Sequence, residues 1–142
     1  MRERGHAAVE LGLAVGLLLL PVAVAVLAFG PWSERRVLAE AAAAEAARAA
    51  VIALDVESGS VVVADMASNH GLAEGMVRLG WCGSTPTELS APGAGCGFER
   101  GTEVTAEVQV WVPLMVTPWG EVGGLWVGAA HSEPIDLYRS LR

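Results

Sequence analysis

Gly5-His6-Ala7-Ala8-Val9-Glu10 leads without a break into Leu11–Trp32, LGLAVGLLLLPVAVAVLAFGPW, which carries no charge. At 1.5 Å of rise per helical residue, a run of about 22 residues crosses a hydrocarbon core of roughly 30 Å. Glu10 stands at the mouth of this run, where hydropathy alone would not place a carboxylate. The fold turns on this stretch, because the residues that follow become what a membrane helix carries to one side. A cleaved secretory signal is the alternative. Ala23-Val24-Ala25 or Ala25-Val26-Leu27-Ala28 meets the small-residue rule, but the apolar run is longer than an ordinary signal core and holds Glu10.

Outside the membrane segment about 110 of the residues remain, enough for one small domain and not two. The formal charge is −7, all of the basic side chains are arginine, and an acidic exterior argues against nucleic acid as partner. Arg2 and Arg4 precede the run and Arg35 and Arg36 follow it, so the positive-inside count nearly cancels. The amino terminus tips the balance toward a cytoplasmic N-terminus. Cys82 and Cys96 agree, since two thiols outside a bacterial-type membrane can form one disulfide but no metal site.

Along the chain, Gly12 and Gly16 are spaced i, i+4, the small-residue arrangement that lets another helix approach, although glycine is also simply common in membrane helices. Pro21 should bend or loosen the helix. Gly30-Pro31 predicts a kink or short interruption at the membrane exit, with Ser33 available to cap a resumed helix. Ser33 to Ala53 is nearly half alanine, the strongest intrinsic helix signal. Arg36 with Glu40, and Glu45 with Arg48, have spacings that support a helix surface weakly. Leu38, Ala42, Ala49, Ile52 and Ala53 form its expected apolar stripe.

Asp55 to Gly59 reads as a turn, and Ser60 to Ser68 as a short helix stopped by Asn69-His70-Gly71, with a strand over Val61–Ala64 as runner-up. Beyond Gly71 the period changes to two: Val77, Leu79 and Trp81 share a face. Gly83 to Gly97 is Gly/Ser/Thr/Pro-rich and predicts a loop, which a Cys82–Cys96 bond would close. Thr102 to Val112 is the clearest strand. Val104, Ala106, Val108, Val110 and Val112 face one way, Glu103, Thr105, Glu107 and Gln109 the other, with Gly101 and Pro113 as its ends. Pro118-Trp119-Gly120 is a turn into a second strand, Val122 to His131, which Glu133-Pro134-Ile135-Asp136 ends. Leu125, Val127 and Ala129 share one of its faces; glycines at 124 and 128 thin the other. Leu137 to Arg142 should fray. The reading is α+β: a long N-terminal helix, half transmembrane and half Ala-rich and soluble, packed on a small antiparallel sheet of about three strands. A sheet with one apolar face needs a cover, and the Ala-rich helix is long enough to provide it.

Asp65, Ser68 and His70 contain the letters of a hydrolase triad, but within six residues of one helix end they cannot converge on one substrate atom. His6, His70 and His131 are scattered, and no set of donors has metal-ligand spacing. Gly93-Ala94-Gly95 is not placed between a strand and a helix, so it is not a phosphate loop. No cofactor is expected and no enzyme. Glu10 is the costly residue, at about 2–3 kcal/mol if unpaired near hydrocarbon. It could reach the interface or take up a proton. The sharper reading requires a cation at its depth. A cut between Gly5 and His6 would supply one, an ammonium one helical turn from Glu10 on the same chain or a neighbour.

Gly5 followed by Glu10, a long apolar segment and an Ala-rich helix resembles the type IV prepilin N-terminus. More narrowly, Arg4-Gly5-His6-Ala7-Ala8-Val9-Glu10-Leu11, Phe29-Gly30 and Ala39 to Ala50 look like the TadE-like proteins of tight-adherence pilus systems. Asn69-His70-Gly71-Leu72, Cys82-Gly83, Val104 to Pro113 and Glu133 to Arg139 look like the C-terminal module of actinobacterial members. The resemblance implies a leader over 1–5, a transmembrane helix over 6–32, its extracytoplasmic continuation over 33–54 and a small disulfide-bearing domain over 55–142. It implies a minor pilin or pseudopilin, single-pass in the cytoplasmic membrane and cut by a prepilin peptidase at Gly5-His6. Its partners would be other pilins or TadE-like subunits, an inner-membrane platform and its ATPase. His6 departs from the pattern, since many type IV pilins carry an apolar first residue, and so does Pro31. A second reading is an uncleaved anchor presenting a binding domain through the apolar tip Leu114-Met115-Val116-Thr117-Pro118-Trp119, which could instead pack on the domain's own helix.

Overall fold

The structure, a computed structural model, describes residues 4–89, 96–117 and 119–138. Its first element, α1, is one helix over Arg4–Ala53, 50 residues with Pro21 and Pro31 inside it. At 1.5 Å per residue this is a rod of roughly 75 Å. The expected interruption at Gly30-Pro31 does not occur. Each proline removes a single N–H from the ladder, whereas a break in an apolar segment would leave several backbone groups without partners. Ser33 caps no new helix; its hydroxyl donates to the Gly30 carbonyl at 2.9 Å.

The C-terminal half of α1 is the back wall of the domain. Leu38, Ala39, Ala42, Ala43, Ala46, Ala47, Ala50 and Val51 are buried in one stripe. The buried stripe is rotated from the one expected from the sequence. Leu38 and Ala42 belong to it, but Ala49 is only half-buried, Ala53 is exposed and Ile52 is 63% exposed. A row of methyl groups has no moment large enough to orient a helix, so the partner selects the face, here by closeness of approach.

The chain reverses at Leu54, whose φ is 60°, and Asp55 caps the second helix, α2, over Val56–Asn69. The stretch from Asp55 to Gly59, read as a turn, is therefore mostly the first turn of a helix. The Asp55 carboxylate accepts from the Glu57 and Ser58 N–H groups at 3.0 and 3.1 Å, satisfying two donors that a helix start leaves open. The stop falls where it was expected, with Gly71 at φ 67° and the Leu72 N–H returning to the Ala67 carbonyl at 2.9 Å. Val61–Ala64 is helical, so the strand alternative falls.

A 3-10 turn over Glu74–Met76 leads into a four-stranded antiparallel sheet: β1 (Val77–Trp81), β2 (Thr87–Glu88), β3 (Glu103–Thr117) and β4 (Gly120–Pro134), in the order β2-β1-β3-β4. The fold is α+β. The additional strand, β2, lies inside the stretch read as loop, pairing Thr87 with Leu79 and Glu88 with Arg78. Two residues carry no periodicity from which a strand could be read. Pro113 does not end β3. It pairs with Gly124 beyond Val110, where pairing with β1 stops, so one edge of β3 is open and proline is tolerated.

Val104, Ala106, Val108, Val110 and Val112 are buried toward α1, and Val77, Leu79 and Trp81 continue that layer. The opposite face is polar, with Thr105 and Ser132 hydroxyls 2.7 Å apart and the Gln109 amide donating to Glu107. Cys82 and Cys96 form a disulfide with Cα atoms 5.6 Å apart. At the C-terminal end Ile135 is buried, its N–H donating to Thr102 and its carbonyl accepting from Gly101. Of the tail expected to fray, Leu137 lies over Gly101 and the Tyr138 N–H donates to Asp136. Arg139–Arg142 lie outside the described residues, as do Pro118 of the predicted turn and Gly93-Ala94-Gly95.

Candidate functional site

The N-terminal half of α1 packs against nothing of its own domain over most of its length. Every described side chain from Val9 to Val26 is exposed, Leu17 at 75%. A helix apolar on all sides and unburied is suited to a lipid phase or to other helices. It is the one helix among the described residues long and apolar enough to cross a membrane. Ideal Cβ atoms built on Gly12 and Gly16 meet nothing within 4 Å, so that face is open to a neighbour. Leu13, Gly16, Leu17, Leu20 and Pro21 line a shallow apolar depression beside it.

Gly5 and His6 lie in the first turns of α1, so the implied cut would remove the start of a helix; their side chains are outside the described set. Glu10 is exposed, one turn beyond His6, at a rise of roughly 6 Å. Among the described residues the ion pairs are Arg36–Glu40, Arg48–Glu45 and His131–Glu133, and Glu10 is in none of them. The first two occur at the spacings read from the sequence.

A second surface forms where the β3–β4 hairpin meets the apolar half of α1. Ala25, Phe29 and Trp32 of the helix and Val112, Pro113, Leu114 and Leu125 of the hairpin enclose a cleft of about 240 Å³. Of the tip residues singled out above, Leu114 is 61% exposed and Trp119 93%, while the Met115 side chain is outside the described set. The hairpin thus leans on the helix at Val112, Pro113, Leu114 and Leu125, while Trp119 stays largely exposed.

The sequence reading missed the aromatic side chains around this cleft. Phe29 and Trp32 stack with ring centroids 5.7 Å apart, and the Arg36 guanidinium lies over Trp32. On the outer face of the sheet Trp111 and Trp126 meet edge to face at 5.3 Å, and the Arg78 guanidinium sits 4.0 Å from the Trp126 centroid. A partial signal was present: Trp111 and Trp126 stand eight and seven residues from Trp119 of the expected turn, close to the condition for facing each other in a hairpin. Gly124 makes room for the Trp111 ring, which a Cβ there would strike.

The residues considered for catalysis are not brought together. Asp65, Ser68 and His70 are exposed at the end of α2, and no hydrogen bond joins them among the described residues. No group of three or more metal-ligating side chains occurs among the described residues. No family model matches the chain, no curated protein matches it, and no solved structure does.

Proposed function

We propose that this chain is a TadE-like minor pilin or pseudopilin, a non-catalytic, membrane-anchored subunit of a tight-adherence (type IV-like) pilus or secretion assembly. In this reading the N-terminus faces the cytoplasm, the apolar half of α1 spans the cytoplasmic membrane, and the domain stands outside it. A prepilin peptidase cuts between Gly5 and His6. The new ammonium pairs with Glu10 of its own or a neighbouring subunit and sets the register between helices, before the platform and its ATPase act on the assembly. What supports this reading is one helix that joins a bare apolar cylinder, with a lone carboxylate at its mouth, to the back wall of a small sheet domain. A carboxylate at the mouth of the run is stabilised by a cation at its depth, and the cut would create one.

Intact mass of the native protein, taken separately from membrane and medium fractions, tests the proposal. Loss of Met1–Gly5 from the membrane form is the expected result. Loss through about Ala28, with the remainder in the medium, sinks it in favour of a secreted domain. A full-length membrane species favours the second reading, an uncleaved anchor presenting a binding domain, for which the exposed Trp119 speaks. Glu10→Ala should reduce pilus assembly to background while leaving membrane insertion intact; undiminished assembly removes the role given to Glu10.

A further inference from the structure

The hairpin and the helix can be placed on a common vertical scale. Val108 and Val110 share a core pocket with Leu38 and Ala42, whereas Val112 and Leu114 share the cleft with Phe29 and Trp32. A step of about four residues along β3, roughly 13 Å, thus matches a step of about nine or ten along α1, roughly 14 Å. The strand runs beside the helix and toward its apolar end. From Val112 the hairpin continues another five residues to Thr117, up to roughly 17 Å, about the depth of one leaflet.

The side chains change character at the level this scale predicts. Above it the outer face carries Glu103, Thr105, Glu107 and Gln109. At it stand the Trp111–Trp126 pair, capped by Arg78, and on the helix Trp32, capped by Arg36. Below it, from Val112 to Leu125, Glu121 is the one ionisable residue, and Leu114, Trp119 and Val122 are exposed. Tryptophan with arginine on its polar side is the pattern of a membrane–water interface, and here two separate elements carry it at one height.

We propose that the β3–β4 hairpin is a second membrane-contacting element, its tip seated among lipid acyl chains of the leaflet from which the domain emerges. The proposal rests on the reading of α1 as a membrane span. The open edges of the hairpin and the Glu121 carboxylate are costly in dry hydrocarbon and limit the depth to the upper part of that leaflet. The domain is then held by two attachments, and its sheet has a fixed tilt and rotation relative to the membrane plane.

Nitroxide labels on Thr105→Cys, Trp119→Cys and Leu20→Cys test this in the full chain, with the native disulfide intact, in phosphatidylcholine–phosphatidylglycerol vesicles. Leu20 and Trp119 are exposed and Thr105 is half-buried on the outer face of the sheet, away from α1, so no label enters the core. The readout is the ratio of collisions with oxygen, which concentrates in lipid, to collisions with a water-soluble nickel chelate. The ratio at 119 should exceed that at 105 several-fold and fall below that at 20. A 119 ratio equal to that at 105, with the 20 label still in lipid, places the tip in water and overturns the proposal while the anchor stands. Low collision rates with both reagents at 119 place it against protein, such as a second copy, and also overturn it. Access of the nickel chelate to the 20 label refutes the anchor itself, and the hairpin proposal with it.

Discussion

Asp55 shows how one side chain sets the direction of a helix. The chain leaves α1 through Leu54 in the left-handed region, and α2 begins at once because the carboxylate meets the first free N–H groups. The bond from the Glu57 N–H is the main reason its pKa lies below the ordinary aspartate value; desolvation works against it, and the Ser58 N–H and hydroxyl add to the lowering. A folded-state value below the unfolded one means that the stabilisation is fully present above the unfolded value. It is lost as pH falls through the folded value. The melting temperature of the full chain in detergent, followed by circular dichroism, should therefore fall more steeply below about pH 4 than that of Asp55→Asn. Asp55→Ala should melt a few degrees lower at neutral pH, because both capping bonds go. Parallel pH profiles for wild type and Asp55→Asn would remove the charge from this account.

Between elements, Gly59 lies where α1, α2 and the sheet meet closely. An ideal Cβ there would come within 2.7 Å of the Ala46 carbonyl oxygen and would collide with the Trp81 ring. Alanine is worth up to about 1 kcal/mol over glycine in a free helix, but overpacking a closed contact costs about 1–3 kcal/mol. Backbone on one side and a buried indole on the other leave little room to yield, so Gly59→Ala should lower stability to urea by about 1–2 kcal/mol. A gain in stability would show that α2 can move away from Ala46 freely. Gly59 also marks the limit of what the sequence discloses. The period-two valines of β3 and the alanine run of α1 announce their elements, because composition and spacing act locally. Which alanines face the sheet, and that Pro113 sits mid-strand, depend on where β1 begins and how closely two backbones meet. Glu10 stands out in the sequence because the residues that follow it in the chain are apolar. The relative placement of Trp32, Trp111 and Trp126 does not, because it needs the hairpin register and the height of the strand along α1 together.

For the molecule as a whole, the Cys82–Cys96 bond ties the end of β1 to the approach to β3 across a sequence separation of 14, with β2 inside the loop. Closing a loop of that size restricts the unfolded chain by about 3 kcal/mol on the chain-entropy estimate. Urea unfolding of the reduced chain, or of Cys82→Ser, should show a loss of about 2–3 kcal/mol with the helical signal of α1 retained. An unchanged midpoint would mean that the loop is already ordered by its own contacts. The other boundary of the sheet is β4, which pairs with β3 and has no strand on its far side among the described residues. An open edge of this length invites pairing with a second copy, and the most favourable pairing is antiparallel. Two copies can pair in that sense through a two-fold axis lying across the strands. Because the strands run alongside α1, that axis would turn one helix end over end relative to the other. In the proposed reading, copies anchored in one bilayer would all point the same way, and that common orientation would exclude this antiparallel pairing of the sheet edges.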